Sequence, residues 1–180
     1  MAAAETELYA GQLVMPVPMW LLQGTCRALL EHDIYMHDVR IEHAGEPMRY
    51  RLRIYTPGWA TSMCRAVLED AGCGAGAAKS RSFMVQRVTA TRTPSELELE
   101  GEMLVGDRAL MTTLVRYRVE TEGTVRCTYR GVAAETRYRG LMASAGDHMR
   151  RTLVEHQRDL QRRAQCCWLM IMMVLRLVAR

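Results

Sequence analysis

The feature that most constrains this chain is a two-residue alternation of apolar and charged side chains. It recurs in four stretches and then gives way, past Gly140, to a helical period. Met48, Tyr50, Leu52 and Ile54 alternate with Arg49, Arg51 and Arg53, while Leu97, Leu99 and Met103 alternate with Glu96, Glu98, Glu100 and Glu102. Val115, Tyr117 and Val119 alternate with Arg116, Arg118 and Glu120; after the turn Thr121-Glu122-Gly123, Val125, Cys127 and Tyr129 alternate with Arg126 and Arg130. Successive side chains of a strand point to opposite faces, so each stretch predicts a strand that is dry on one side and wet on the other. Consecutive strands of this kind pair into an antiparallel sheet with one solvated face. The row Met48, Tyr50, Leu52, Ile54, Leu97, Leu99, Val115, Tyr117 and Val119 is expected to point inward, because a slip of one residue would put all of it in water. Composition enters through charge: the net value is +4, carried by 23 arginines and one lysine, Lys79. Arginine rows facing a glutamate row across strands account for most of that charge, each pair contributing a few tenths of a kcal/mol up to about 1. No nucleic-acid partner is expected.

Around these strands the chain punctuates itself. Pro16 and Pro18 predict a helix over 18–31, since proline suits the start of a helix. Extended runs follow at 35–43 and 47–55, separated by Ala44-Gly45-Glu46-Pro47. Thr56-Pro57-Gly58 ends the second, and Trp59, Met63, Ala66 and Val67 give helical spacing up to Gly72. Gly72–Gly76 is glycine-rich but follows a helix and precedes a strand, the reverse of a dinucleotide loop. A strand meander spans 80–135. Beyond Gly140 a helix of about 25 residues is expected, with Met142, Ala145, Met149, Leu153, His156 and Leu160 toward the sheet and Arg158 and Arg162 away. The end, Cys166–Val178, is apolar for about ten residues before Arg176, where a bilayer span needs roughly 20. It packs on the body or contacts a membrane. The 180 residues suffice for one core, so the chain divides into a domain over 1–165 and a hydrophobic tail over 166–180. The order strand, helix, strands, helix, strands, long helix resembles the helix-grip (START-like) fold: an α+β domain whose curved antiparallel β-sheet grips a long C-terminal helix.

Chemistry is harder to find. The six cysteines, Cys26, Cys64, Cys73, Cys127, Cys166 and Cys167, show no C-x-x-C spacing and read as reduced thiols. His32, His37, His43, His148 and His156 lack ligands at metal-binding spacing. No nucleophile elbow, zinc-protease or phosphate-loop motif occurs in its proper context. No catalytic residue, metal or cofactor is expected, and the chain reads as a non-enzyme. The beginning, Met1–Glu7, carries two acids and no basic segment leading into an apolar run, so no secretory signal is expected. Fourteen methionines accompany a single phenylalanine, Phe83. Methionine is flexible, which suits either an ordinary core or a deformable wall around acyl chains.

Three residue strings resemble the PRELI/MSF1 family of mitochondrial phospholipid-transfer proteins over roughly residues 5–165. Pro18-Met19-Trp20 is similar to the family's Pro-Trp at the first helix, and Trp59 followed by Arg65-Ala66-Val67-Leu68 is similar to its tryptophan followed by Arg-Ala-Ile-Leu. Tyr138-Arg139-Gly140-Leu141-Met142-Ala143-Ser144 stands where the family's last helix begins with Leu-Met-Ala-Ser. The resemblance implies binding and transfer of phosphatidic acid or a related anionic phospholipid, work at a membrane surface in the mitochondrial intermembrane space, and a small twin Cys-x9-Cys helical-hairpin partner. It places the phosphate on Arg27 of the first helix and on Arg150 and Arg151 of the last; the methionine-bearing face of that last helix, with Met142 and Met149, is expected against the lipid chains. The chain departs from the family at Met149 and Thr152, where asparagine and lysine are usual, and at Glu31–Ile34, where the family has Tyr-Pro-Asn-Pro. The residues leave two other readings open: a helix-grip module that binds a ligand or protein without transporting it, and an enzyme of the same fold acting on a hydrophobic substrate.

Overall fold

The computed structural model describes residues 6–32, 36–55, 65, 83–105, 108–134 and 139–178. Seven strands form one antiparallel sheet: β1 (Thr6–Met15), β2 (Met36–His43), β3 (Met48–Tyr55), β4 (Phe83–Thr93), β5 (Glu96–Val105), β6 (Arg108–Thr121) and β7 (Thr124–Ala133). Their spatial order is β1-β7-β6-β5-β4-β3-β2. Helix α1 (Met19–His32) therefore carries the chain from one edge of the sheet to the other, and α2 (Arg139–Val178) follows the last strand. The expected helix over 59–71 and the glycine-rich Gly72–Gly76 lie outside the described residues, apart from Arg65, which is helical.

Local chemistry explains the elements. Pro18 cannot donate to a preceding turn, but its carbonyl accepts from Leu21 and Leu22, and α1 starts immediately after it. Gly123 supplies the positive φ of 98° in the tight β6–β7 connection. The arginine and glutamate rows pair across strands on the outer face: Arg116 with Glu96 and Glu98, Arg118 with Glu96, and Arg87 with Glu102. These are half-exposed pairs, each contributing no more than about 1 kcal/mol.

Both helices cover the opposite face. Tyr117, Val125, Cys127, Met111 and Leu97 meet Leu22 and Cys26 of α1 and Met149, Leu160 and Ala164 of α2 in one buried cluster. Met48, Tyr50, Leu52, Val88 and Ala90 form a second under the β3–β4 end. The expected inward row is dry at Met48, Tyr50, Leu52, Leu97, Val115 and Tyr117, and Leu99 is partly buried against both clusters. Val119 is a correction, since it is 43% exposed. It belongs to the inward row but lies at the hairpin end of β6, where it walls an open groove instead of meeting a helix. The side chain of Ile54 is outside the description.

Helix α2 has 40 residues instead of about 25, because no glycine or proline interrupts the stretch after Gln165. Met149, Leu153 and Leu160 pack inward as expected, and Arg158 and Arg162 face solvent. His156 does not face the sheet: it is exposed, and Gln157 is buried in its stead. Both positions lie close to the apolar stripe of an ideal helix, so periodicity alone does not separate them. The choice is made by a polar group on the sheet.

Candidate functional site

That group is the Tyr117 hydroxyl, fully buried in β6, which donates to Gln157 Oε1 at 2.6 Å. Cys127, opposite Tyr117 in the β6–β7 register, has its sulfur 3.9 Å from the same oxygen. Cys26 of α1 is the third member, near enough to both for their charges to interact. Burial pushes the Cys26 thiol up to about 12 and, with a smaller contribution from Cys26, does the same to Cys127. Burial also raises Tyr117 well above the ordinary phenol range. All three are neutral at physiological pH, so the cluster offers hydrogen bonds but no thiolate nucleophile.

A small cleft opens beside it between α1 and strands β3–β5, walled by Arg27, Leu30, Tyr50, Arg92 and Leu99. Its volume of about 10 Å³ holds one water at most. Arg27 Nε lies 2.9 Å from Glu31 Oε1, one helical turn on, and the side chain is half exposed. The hydrogen bond and charge of Glu31 hold the Arg27 guanidinium above its usual range. Arg92 is paired with a carboxylate too, its Nε 2.6 Å from Glu46 Oε1, and its Nη2 reaches Met48 Sδ at 3.4 Å. A phosphate is too large to enter, and at the mouth it would meet two guanidinium groups, each already engaged by a carboxylate.

The other expected donors lie elsewhere. Arg150 is 3.8 Å from Asp147 on the exposed side of α2, and Arg151 is exposed. Neither lines the cleft at Arg27. Met149 is part of the packed core, and the side chain of Met142 is outside the description. Arg92 was not legible in the sequence as a site residue, because its partner Glu46 is 46 positions away in the β2–β3 turn.

The roomier space is at the end of the sheet where α2 leaves it. A groove of about 570 Å³ runs between Pro16–Leu21, the β4–β5 turn at Pro94, the β6–β7 hairpin at Val119 and Gly123, and Gln165 and Trp168 of α2. That size is within the roughly 300–1,000 Å³ of small-molecule sites. Trp20 and Trp168 meet edge to face with ring centroids 5.9 Å apart. No arginine or lysine is among the described residues that line it, and Glu122 is, so it suits an uncharged chain better than a phosphate.

No protein-family model matches the sequence, and no curated protein matches it. Among solved structures it is similar to the di-domain aromatase/cyclase StfQ of the steffimycin biosynthetic pathway, with a TM-score of 0.56 and 10% identity over 88% of this chain and 49% of that one. The chain thus spans about half the length of StfQ. It is similar also to TTHA0849 of Thermus thermophilus, with a TM-score of 0.53 and 11% identity over 91% of this chain and 98% of that one. A third is SA2116 of Staphylococcus aureus, a protein of unknown function, with a TM-score of 0.52 and 10% identity over 89% and 94% of the two chains. At these identities the likeness is one of fold: a curved antiparallel sheet with a long C-terminal helix, the helix-grip architecture.

Proposed function

We propose that the protein binds a lipid-like hydrophobic molecule and carries it to or from a membrane, without chemical conversion. The observation that carries this reading is the groove of about 570 Å³ beside Trp20 and Trp168. Its walls, mainly apolar but including Thr121, Glu122 and Gln165, can hide a hydrocarbon chain that would otherwise lose about 0.8 kcal/mol per CH₂ left in water. The test is extraction of the purified protein followed by mass spectrometry, with uptake of a fluorescent acyl lipid by the stripped protein. Val119→Glu, a substitution on an exposed wall, should lower uptake about tenfold by adding a second carboxylate, beside that of Glu122, against the chain. Absence of any co-purifying amphiphile together with wild-type uptake by the variant would remove the reading.

In its finer form the proposal is transfer of phosphatidic acid or a related anionic phospholipid between mitochondrial membranes, with a twin Cys-x9-Cys partner. The strings at 18–20, 65–68 and 138–144 support that form, and Arg27 is its phosphate donor. Arg92, on the same cleft, is a second.

A second reading, an enzyme acting on a hydrophobic substrate, has its own support in the buried Tyr117–Gln157–Cys127 cluster, since StfQ is named an aromatase/cyclase. Tyr117→Phe separates the two. A carrier keeps its ligand uptake in that variant, whereas an enzyme that uses the hydroxyl loses turnover.

A further inference from the structure

Helix α2 is continuous from Arg139 to Val178, but from Leu169 onward none of its residues is buried. Ala164 is its last fully buried residue, and Cys167 is the last packed against the core. From Leu169 onward the apolar side chains are exposed, apart from a partly covered Met172, reaching 72% at Leu177 and 81% at Val178. At 3.6 residues per turn, Leu169, Met170, Ile171, Met172 and Met173 point in five directions around the axis. The surface is therefore apolar all round, a pattern that belongs in a core or in lipid. A second copy of the chain would cover one stripe and leave the rest wet; hydrocarbon covers every side.

We propose that α2 from Trp168 to Val178 inserts obliquely into an anionic lipid bilayer and holds the mouth of the groove at its surface. Ten residue steps of about 1.5 Å reach roughly 15 Å, half of the ~30 Å hydrocarbon core. This agrees with no helix among the described residues being long and apolar enough to cross a membrane. Charge is complementary to anionic head groups: α2 carries seven arginines and three acids. Arg158 and Arg162, in the turns just before the apolar third, are exposed without an ion-pair partner among the described residues. Trp20 and Trp168 stand at the boundary, where aromatic rings favour the interface. Arg176 is the one charge within the inserted stretch, and an oblique tilt lets its long side chain reach back to the phosphates. The purpose of the insertion rests on the proposed lipid binding; the insertion itself does not.

The full chain is mixed with phosphatidylcholine vesicles, with and without phosphatidylserine, and sedimented. Binding is expected to both and tighter to the anionic set. Trp168 emission should shift to the blue and be quenched by brominated lipid, with Trp168→Phe supplying the background. Met170→Glu/Val174→Glu alters exposed positions outside the groove and should lower vesicle binding at least about tenfold, given that a charge at depth costs several kcal/mol. Arg158→Glu/Arg162→Glu should weaken binding to the anionic vesicles alone. The proposal is overturned if the wild type ignores both vesicle types or if Met170→Glu/Val174→Glu binds equally well. It is also overturned if the wild type is a dimer in light scattering that the same variant splits into monomers. Vesicle binding by a chain that takes up no fluorescent lipid would remove the carrier reading and leave the insertion standing.

Discussion

Tyr117 is the residue around which α2 is oriented. A hydroxyl buried in mid-strand costs about 1–3 kcal/mol if unpaired, and Gln157 removes that cost. Tyr117→Phe and Gln157→Leu are each expected to cost about 1–3 kcal/mol in chemical denaturation, because each orphans the other's polar group. The double variant should cost less than the sum of the two. The neighbouring thiols give a pH signature. Their pKa values rise from 9.0 to about 12 on folding, so both are neutral below 9.0 in either state. Above 9.0 the unfolded chain ionises first, and stability falls as pH climbs toward about 12. At pH 8 iodoacetamide should modify exposed Cys166 and spare Cys26 and Cys127 until the protein unfolds, as read by peptide mass spectrometry. Arg27 is half exposed, and its pair with Glu31 contributes little to the fold. Arg27→Ala should therefore leave the melting temperature unchanged, yet weaken uptake of an anionic phospholipid roughly thirtyfold, about 2 kcal/mol, and spare an uncharged diacylglycerol. Equal uptake of both lipids by the variant would exclude the phosphate role.

At the scale of elements, the least obvious construction is the β1 edge. Two glycines sit directly opposite tyrosines there, Gly11 against Tyr129 and Gly131 against Tyr9. Each ring lies over the bare backbone of the neighbouring strand, where an added Cβ would overlap it. Tyr9 reaches on across β7 to Thr113 of β6, with 3.0 Å between the oxygens. Gly131→Ala is expected to destabilise by about 1–3 kcal/mol through overpacking, with loosening of β1 visible as faster amide exchange. Neither glycine carries a signal in the linear sequence, since the partner tyrosines lie more than a hundred positions away. The α1 start at Pro18, by contrast, was legible because it depends on local chemistry alone. So was the outer charge ladder, which needs only alternation within each strand. The length of α2 was not, because the expectation ended the helix where its amphipathic stripe ended, and no breaker is present to end it.

At the scale of the whole molecule, one end of the sheet gathers the groove, the Trp20–Trp168 pair and the bare third of α2. A chain ending at Leu169 loses the largely exposed apolar side chains of 170–178, so the folded domain should melt within a few degrees of the full chain. Vesicle binding should disappear, while lipid uptake into the groove persists. A large drop in melting temperature would mean that the end of α2 packs on the body after all.

Sequence alone determined the alternating strands β3, β5, β6 and β7, their wet and dry faces except at Val119, and the helix-grip architecture, because alternation and turn chemistry act over a few residues. It also exposed an apolar end too short to cross a bilayer. Tertiary structure decided what depends on which distant residue lies opposite. It set Gln157 and not His156 against Tyr117, left Val119 at a rim, brought Glu46 to Arg92 and placed Arg150 and Arg151 away from the cleft at Arg27. Periodicity tells which way a side chain points; only the packed neighbour tells whether anything is there to meet it.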